Sequence, residues 1–575
     1  GCRRSRRWVV ALNGEIYNHR QLARSVESAG IRFRGHADPE VLLEAVASWG
    51  LATALERIDG MFALAVWDRS ERRLSLARDR LGEKPLCWAE LPGGGLAFGS
   101  TVDAVTAHPE VDVRIDRHAL TAYLRHKAVP DPASIVEGVH KVPPAHVLTW
   151  RSGESPRLTR YWTPPRSGHA ADGPPDVRTD AQLVSDTTAL LTEAVADRLV
   201  ADVGVGVFLS GGVDSTTVAA VAAAASDERV RTFTIAFDDA DLDESKRARA
   251  VADHLGTDHH ELTATEGATL AMVERLGRAY DEPFGDSSAL PTLLLAQLAR
   301  NEVTVALTGD GGDEVFGGYN RYLALPTVWD RARRVPGPIR RPVARGVGRV
   351  PPRMWDRLGS MPAMGARVSQ LGVKVSKVAM VAEATDANDA YRRVVSHWQD
   401  PAALVLGDAD DPREPLVGWE DSLVDAMIDR DLASYLPHDV LTKVDRATMA
   451  FGLESRAPLL ARPVIEAVVP LPLRHKLRDG RGKWLLRSVL APMVPSALWD
   501  SPKQGFGPPL DTWMRGELAD WAEALVFGPA SRSHLDQRML RRVWEEHRSG
   551  RRNHGYALWD VAAFGAWAAE RSITG

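Results

Sequence analysis

Two glycine-rich loops carry the residues in this chain that could do chemistry. The first, SGGVDS at residues 210–215, follows the apolar run VGVGVFL and precedes an alanine-rich stretch. The second, TGDGGDEVFGGY at residues 308–319, follows the apolar run VTVAL and contains Asp310, Asp313 and Glu314. Backbone N–H groups at a helix start bind phosphate oxygens, and carboxylates bind Mg²⁺. The pattern predicts a site for a nucleotide phosphate and a metal ion.

In the first loop, Ser210, Gly211 and Gly212 leave the backbone accessible, and Asp214 could ligate Mg²⁺. The loop lacks GxxxxGK[ST], so it is not a Walker loop. Taken alone, it is also compatible with a tight strand–helix turn capped by serine. The second loop favours the functional interpretation, because Asp214 and Asp313 could share a metal if both loops lie at one edge of a parallel sheet.

The elements around these loops predict that sheet. Apolar strand-like runs at residues 203–209, 230–237 and 303–307 alternate with helical stretches at 213–225 and 244–256. Such alternation is typical of a parallel sheet with helices on both faces. From about residue 420 onward the chain is predicted to be helical and is rich in tryptophan.

The first part of the chain has a different pattern. Residues 61–68 and 73–79 read as antiparallel strands, and LCWAE and LAFGS flank LPGGG as a hairpin. Residues 38–49 have helical spacing, with Gly50 as a C-cap. The stretch 163–180 is rich in Pro, Gly and polar residues, which indicates a linker between two domains.

Composition narrows the class of protein. A chain of 575 residues is too long for one core, so at least two domains are expected. Its 44% apolar and 26% charged residues are ordinary for a globular protein, and a net charge of −5 predicts neither nucleic-acid nor membrane binding. Only two cysteines occur, which favours a reducing, cytoplasmic location. The basic start followed by a short apolar stretch imitates a signal peptide but is too short to be one.

The two loops and a series of further stretches resemble the glutamine-hydrolysing asparagine synthetases, and they occur in that family's order. The stretches are NGEIYNH, GMFALAVWD, LARDRLGEKPL, KVPPAH, DEPFGDSSALPT, YLPHDVLTKVDRATMAFGLESRAPLL, GKWLLR and PKQGFGPPL. The resemblance implies a glutamine amidotransferase domain at residues 1–163 with an N-terminal-nucleophile (αββα) fold, lacking its first part. A linker at 164–180 and an α/β ATP-pyrophosphatase domain at 181–575, with a helical C-terminal part, would follow.

The same resemblance implies a reaction and its groups. The family adenylates the side-chain carboxylate of aspartate with ATP, releases pyrophosphate, and lets ammonia displace AMP. By resemblance Asp214 and Asp313 ligate Mg²⁺, while Asp310 and Lys483 are catalytic. The expected ATP and pyrophosphate site consists of Leu209, Ser210, Gly211, Gly212, Asp214, Ser215, Ile235, Thr308 and Gly309. Roles for Lys443, Asp445 and Arg446, in a matched stretch, stay open. The expected partners are small-molecule substrates and a second copy of the chain in a homodimer.

In the first domain the resemblance assigns glutamine binding to Asn13, Gly14, Glu15 and Asp38. The family nucleophile is an N-terminal cysteine that precedes two strands and an arginine-bearing segment. Here Cys2 follows Gly1 and precedes RRSRR, so we expect that Cys2 is not the nucleophile. The chain as given is therefore expected to use ammonia and not glutamine.

Two further positions depart from the family pattern. Thr101 replaces the usual glutamate, and Ala461 replaces an acid, where we expect a structural rather than a catalytic loss. The nearest alternative function is a relative that closes an amide ring or amidates a secondary metabolite. Relatives that form β-lactams replace the acid at position 310 with tyrosine. Asp310 therefore favours ammonia as the acceptor of the activated acyl group. A non-catalytic protein built on a decayed enzyme is a second alternative, which the intact loops and Lys483 disfavour.

Overall fold

The computed structural model describes residues 7–28, 30–35, 37–168, 178–237, 243–351, 354–356, 371–411, 415–501 and 509–573. Cys2, residues 169–177 of the predicted linker, and residues 502–508 of PKQGFGPPL lie outside the described residues. Across these ranges, we find no helix that combines the length and the apolar character needed to cross a bilayer.

The N-terminal region, up to residue 161, is built on two antiparallel sheets. Its strands are β1 (Trp8–Ile16), β2 (Gly60–Asp68), β3 (Arg73–Arg78), β4 (Cys87–Glu90), β5 (Leu96–Gly99), β6 (Val139–Lys141), β7 (His146–Arg151) and β8 (Arg157–Arg160). The larger sheet has the order β1-β2-β3-β7-β8, and the smaller one has the order β5-β4-β6. The predicted hairpin is confirmed, because β4 pairs with β5 in antiparallel register.

Helices cover the outer faces of these two sheets. They are α1 (His19–Glu27), α2 (Asp38–Trp49) and α3 (Leu51–Arg57) on one side, and α4 (Val102–Thr106) and α5 (Arg117–His126) on the other. Side chains alternate along β2: Phe62 and Leu64 pack with the first helices, whereas Ala63 and Ala65 face the smaller sheet. The predicted four-layer αββα fold is therefore confirmed.

The C-terminal region contains the predicted parallel sheet. Its strands are β9 (Val205–Phe208), β10 (Arg231–Phe237), β11 (Asp258–Ala264), β12 (Val305–Leu307) and β13 (Glu454–Arg456), in the order β11-β10-β9-β12-β13. Every pairing in it is parallel. Its first helices are α6 (Asp180–Leu199), α7 (Val213–Ala225), α8 (Ser245–Leu255), α9 (Glu266–Ala279) and α10 (Ala289–Arg300).

Strand β9 lies at the point where the strand order reverses, with β10 on one side and β12 on the other. Open parallel sheets bind ligands in the crevice at the carboxyl ends of the strands beside such a point. The loops after β9 and β12 both start there. The topology therefore brings the two glycine-rich loops to one edge of one sheet.

The rest of the described C-terminal region is largely helical. The helices are α11 (Gly312–Phe316), α12 (Asn320–Ala332), α13 (Gly337–Arg349), α14 (Leu371–Glu383), α15 (Ala387–Val395), α16 (Leu423–Arg430), α17 (Thr442–Met449), α18 (Arg462–Val468), α19 (Trp484–Leu490), α20 (Ser496–Trp499), α21 (Leu510–Trp513), α22 (Ala519–Val526), α23 (Pro529–His534), α24 (Gln537–Arg548) and α25 (Gly555–Glu570). A π-helix, Asp431–Leu441, joins α16 to α17, and short 3₁₀ turns cover Pro458–Leu460 and Leu473–His475.

Strand β13 is the exception within the stretch predicted to be helical. Its three residues are too few to show a period-two pattern, so β13 could not be predicted from the sequence. It pairs with β12 through Val305 to Leu307. The carbonyl of Arg456, its last residue, accepts a hydrogen bond from the N–H of Thr308 at 2.9 Å and so fixes the start of the second glycine-rich loop.

Candidate active site

The first loop, residues 210–215, turns from β9 into α7 with its hydroxyl groups bonded to each other. The Oγ of Ser215 accepts a hydrogen bond from the N–H of Ser210 at 3.1 Å and lies 2.9 Å from the Ser210 Oγ. Gly211 has φ +71°, and a Cβ there would lie 2.9 Å from the backbone nitrogen of Ala248. Glycine is therefore required at 211 both by its conformation and by its close contact with α8.

The second loop packs directly against the first. A Cβ on Gly309 would lie 2.8 Å from the backbone nitrogen of Ser215, and a Cβ on Gly312 would lie 2.5 Å from the Cγ of Asp214. Distances of this size leave no room for a side chain. Both glycines thus allow the two loops to meet.

Lys483 lies between the acids of the two loops. Its ammonium contacts the carboxylate of Asp214 and lies 2.7 Å from Asp313 Oδ1. Lys483 precedes α19 in a left-handed conformation, φ +61°, and its side chain is buried. Burial alone would lower the pKa of Lys483. The negative charges of Asp214 and Asp313 have the larger effect, so the pKa of Lys483 is raised. The structure therefore brings Asp214, Asp313 and Lys483 together.

The two aspartates are suited to Mg²⁺. Among the described residues, no set of three or more His, Cys, Asp or Glu side chains is arranged to hold a metal ion. Asp214 and Asp313 nevertheless share one cation, the Lys483 ammonium, so their oxygens are near enough to share another. Mg²⁺ usually takes one or two carboxylates and completes its shell with phosphate and water. The pair thus fits a Mg²⁺ ion that arrives with a nucleotide.

Asp310 lies in the second loop beside the hydroxyl of Thr308. Its backbone N–H donates to the Thr308 Oγ1 at 3.4 Å. Burial raises the pKa of Asp310, and the positive charge of Lys443 opposes that rise. A carboxylate with a raised pKa is a better general base. Lys443 is thereby placed near the candidate catalytic acid, which the sequence alone did not establish.

The remaining residues of the expected nucleotide site are buried. Leu209 and Ile235 are each 2% exposed, and Thr308 is 3% exposed. Leu209 donates its N–H to the carbonyl of Phe233 at 2.9 Å, which ties the end of β9 to β10. These residues lie at the edge of the sheet where the two loops start, and their contact with a nucleotide remains a prediction.

A cluster of charges beyond the second loop was not found from the sequence. Lys127, the C-cap of α5 in the N-terminal region, lies 3.0 Å from Asp286 and 2.8 Å from Asp439. The ring of Tyr435 faces the Lys127 ammonium at 5.1 Å. These residues come from three distant segments, so no local motif joined them. The one sequence feature that could have pointed to the cluster is that Asp286 lies in the stretch DEPFGDSSALPT, and Tyr435 and Asp439 lie in YLPHDVLTKVDRATMAFGLESRAPLL.

Glu15, one of the candidate glutamine-binding residues, lies where the N-terminal region contacts the parallel sheet. Asp38 starts α2 and accepts a hydrogen bond from the N–H of Ile16 at 3.0 Å. Burial raises the pKa of Glu15, and the nearby Asp38 raises it further. The Glu15 carboxylate lies 3.5 Å from the guanidinium of Arg456 on β13. Glu15 and Asp38 are therefore brought together next to β13, the strand that holds the start of the second loop.

Asn13 and Gly14 lie on β1. The side-chain amide of Asn13 donates to the Ser100 Oγ at 3.1 Å. Gly14 has φ +137°, and a Cβ there would lie 2.0 Å from the carbonyl oxygen of Met61 on β2. Gly14 is explained by this close strand pairing, and its role in glutamine binding remains a prediction.

The two departures from the family pattern both lie at helix starts. Thr101 caps α4, its hydroxyl accepting from the N–H of Ala104 at 3.1 Å. Ala461 is the N-cap of α18 and has no side-chain oxygen to cap it. An acid at 461 would supply such a cap, which is typically worth about 1 kcal/mol. The substitution at 461 therefore bears on helix stability, in line with the expected structural loss.

Comparison with known proteins adds to this geometry. The asparagine synthase family profile matches residues 186–569, and the glutamine amidotransferase domain profile matches residues 2–162. The chain belongs to the asparagine synthase family. A putative glutamine-hydrolysing asparagine synthetase of Mycobacterium tuberculosis is 33% identical over 571 residues, covering 98% of this chain and 84% of that protein.

Two further similarities are to an amidase and to the solved structure of an amidotransferase. The amidase chyE of Penicillium rubens is 26% identical over 569 residues, covering 90% of this chain and 79% of that protein. Among solved structures, glutamine phosphoribosylpyrophosphate amidotransferase from B. subtilis is 12% identical with a TM-score of 0.21, covering 53% of this chain and 62% of that one.

Proposed function

We propose that this chain synthesises asparagine from aspartate and ATP through a β-aspartyl-AMP intermediate. Membership of the asparagine synthase family supports the reaction class. The observation that carries the proposal is the meeting of Asp214, Asp313 and Lys483 between two glycine-rich loops at the carboxyl edge of a parallel sheet. Acids, a buried cation and open backbone at such an edge suit a reaction that releases pyrophosphate.

In the first step a β-carboxylate oxygen of aspartate forms a bond to the α-phosphorus of ATP, and the bond from that phosphorus to pyrophosphate breaks. The loop at residues 210–215 holds the pyrophosphate through backbone N–H groups, and Lys483 offsets its growing negative charge. Leu209, Ile235, Thr308 and Gly309 line the nucleotide. This assignment is supported by the contacts of the two loops with each other.

Mg²⁺ belongs to the same proposal, with Asp214 and Asp313 as its protein ligands. When bound, it would neutralise phosphate charge. The proposal is supported by the single cation that these two carboxylates share. The protein contributes by holding the two acids close together. The close contact of Gly312, which precedes Asp313, with the Asp214 side chain supports this.

In the second step ammonia attacks the acyl carbon and AMP leaves with the oxygen that joined it to aspartate. Asp310 accepts a proton from the incoming nitrogen. Its half-buried position and raised pKa support this role, because a carboxylate that binds protons more readily is the better base.

The N-terminal region is proposed to be the glutamine amidotransferase domain, residues 1–163, joined by a linker at 164–180 to the synthetase domain at 181–575. Asn13, Gly14, Glu15 and Asp38 are its candidate glutamine-binding residues. The proximity of Glu15 and Asp38 supports that assignment. A homodimer and a cytoplasmic location complete the proposal.

A second candidate is amidation of a different carboxylate in a secondary metabolite or peptide. The similarity to the amidase chyE favours it, since that relative covers 90% of the chain. Pyrophosphate exchange measured across a panel of carboxylic acids separates the two functions. Exchange that depends on aspartate supports asparagine synthesis, and exchange that depends only on another acid supports the alternative.

The direct experiment supplies aspartate, ATP, Mg²⁺ and ammonium chloride to the purified chain and measures asparagine, AMP and pyrophosphate. Equal amounts of all three support the proposal, and their absence contradicts it. Glutamine in place of ammonium chloride tests the N-terminal region separately. If glutamine serves as a nitrogen source, Cys2→Ala shows whether that cysteine is responsible.

A further inference from the structure

Lys443 is a cation in the synthetase site whose role remains to be assigned. It lies on α17, half-buried, and its backbone carbonyl accepts a hydrogen bond from the Tyr280 hydroxyl at 3.1 Å. Within the described part of the chain, its ammonium makes no hydrogen bond or ion pair. The charged residues that follow it differ: Asp445 is paired with Lys84 at 3.1 Å and with Arg446 at 2.8 Å.

The charge of Lys443 nevertheless acts on three carboxylates. Burial raises the pKa of Asp310 and the pKa of Asp439, and the positive charge of Lys443 acts to lower both. Together with Lys127 it holds the pKa of Asp286 below its usual range, against the effect of burial. The Lys443 charge is thus near enough to Asp310, Asp286 and Asp439 to shift the pKa of each.

The Lys127 cluster, defined as Lys127, Asp286, Asp439 and Tyr435, explains why Lys443 is left available. Asp286 and Asp439 both pair with Lys127. Asp286 also accepts hydrogen bonds from the N–H and the hydroxyl of Ser288, at 2.9 and 2.7 Å. These acids therefore have a cation within direct contact, and the Lys443 ammonium is not drawn into an ion pair with either.

The Lys127 cluster is continuous with the phosphate site. Glu314, next to Asp313, accepts a hydrogen bond from the Tyr319 hydroxyl at 2.7 Å. The ring of Tyr319 meets that of Tyr435 edge-on, with centroids 5.6 Å apart. Tyr435, Asp439 and Lys443 are spaced four residues apart along one continuous helical segment, and the first two both contact Lys127. Lys443 thus lies on the same helical face as the two residues that contact Lys127.

This inference rests on the proposed function. An aspartate whose β-carboxylate faces Lys483 has its α-carboxylate two carbon atoms away. That second anion needs a partner in a site already rich in carboxylates, because an unpaired buried charge is costly. We propose that Lys443 binds the α-carboxylate of the acceptor amino acid and so selects acceptors that carry a second anionic group.

The test compares acceptors that differ by one group. Succinate is aspartate without its amino group, and β-alanine is aspartate without its α-carboxylate. Activation is measured as ATP–pyrophosphate exchange, which needs no nitrogen donor, for wild type, Lys443→Ala and Lys443→Arg. A charged hydrogen bond is typically worth about 10- to 100-fold in binding. Lys443→Ala should lower kcat/KM for aspartate and succinate by about that factor, mainly through KM.

The same variant should lose no comparable factor with β-alanine, and Lys443→Arg should recover most of the loss with aspartate. The KM for ATP should be unchanged. Lys377→Ala, which removes an exposed lysine on α14, is the matched control and should behave as wild type. If wild type activates succinate or β-alanine too slowly, their inhibition constants against aspartate give the same comparison.

An equal loss with aspartate and β-alanine would overturn the inference and place Lys443 in the chemical step. Unchanged kinetics with all three acceptors would overturn it as well. A wild-type protein that activates another acid but not aspartate would remove the proposed function, and this inference with it. The wild-type measurement therefore separates the two failures.

Discussion

At the scale of single residues, the site depends on three charges that must lie within contact of each other. Asp214 and Asp313 come from different loops, 99 positions apart in the chain, and both contact the buried Lys483 ammonium. None of them is unusual alone: an aspartate in a glycine-rich loop and a lysine before a helix are common. Their meeting in one place is what gives them a shared function.

Removing either acidic charge should stop activation. Asp214→Asn and Asp313→Asn keep the side-chain shape but remove one negative charge from the expected Mg²⁺ site. Aspartate-dependent ATP–pyrophosphate exchange should fall to background in each. Asp202→Asn, at an exposed position just before the parallel sheet, should retain wild-type exchange. Exchange within a factor of about two of wild type in either loop variant would exclude the shared metal.

Lys483 should matter more for the reaction than for ATP binding. Lys483→Ala should lower turnover about 10²- to 10³-fold, the range typical of losing one preorganised electrostatic contact in a transition state. The KM for ATP should change little, since the charge on pyrophosphate grows during bond breaking. Steady-state kinetics decide this: a raised KM with normal turnover would make Lys483 a binding residue only.

Among the elements, the two loops can meet because the second carries no side chain at Gly309 and Gly312, where it packs against the first. Gly309→Ala places a methyl group 2.8 Å from the backbone nitrogen of Ser215, so one loop must move. A shift of about 1 Å can cost about 10²-fold in rate, and we expect exchange to fall by at least that factor.

Gly346→Ala is the matched control for this change. Gly346 lies on α13 with nothing within 4 Å of its added Cβ, and an alanine there should favour the helix slightly. Its activity should equal that of wild type. Wild-type activity in Gly309→Ala would show that the loops tolerate separation, contrary to the close contact described above.

The sequence predicted these elements well wherever a pattern was long enough to read. Strands 61–68 and 230–237 and the helix ending at Gly256 are found almost as expected, because their apolar spacing and glycine caps are local signals. Strand β13 and the Lys127 cluster were missed for a physical reason. Three residues cannot show a period, and contacts among residues 127, 286 and 439 exist only once the chain has folded.

In the molecule as a whole, the N-terminal region contacts the C-terminal region close to the candidate site. Lys127 from α5 pairs with two acids of the C-terminal region. Close by, Tyr123 donates its hydroxyl to the carbonyl of Asp560 at 2.7 Å, and the Asp560 carboxylate lies 2.9 Å from His397. The two regions are therefore joined by buried polar groups next to the site, and their stability should depend on pH.

Asp560 carries the clearest part of that dependence. Burial raises its pKa to about 6, against the effect of His397. Between about pH 4 and pH 6 the folded protein keeps a proton that the unfolded chain has released, so the free energy of unfolding falls as pH rises. A pKa difference of about 2 corresponds to about 3 kcal/mol.

Asp560→Asn should flatten that slope, because an amide does not titrate. Urea unfolding midpoints measured from pH 4 to pH 7 test this, with Asp400→Asn, at an exposed aspartate, as the control. The control should keep the wild-type slope. A variant at 560 with an unchanged slope would mean that other groups set the pH dependence in this window.

Adenylation of the aspartate side chain can be followed by the transfer of its oxygen to AMP. Aspartate labelled with ¹⁸O in its β-carboxylate is incubated with ATP, Mg²⁺, ammonium chloride and the enzyme, and the products are analysed by mass spectrometry. Because the carboxylate oxygen that attacks the α-phosphorus leaves with AMP, one ¹⁸O atom should appear in each AMP formed. Label in inorganic phosphate together with ADP would contradict the account, since it would mean attack on the γ-phosphorus.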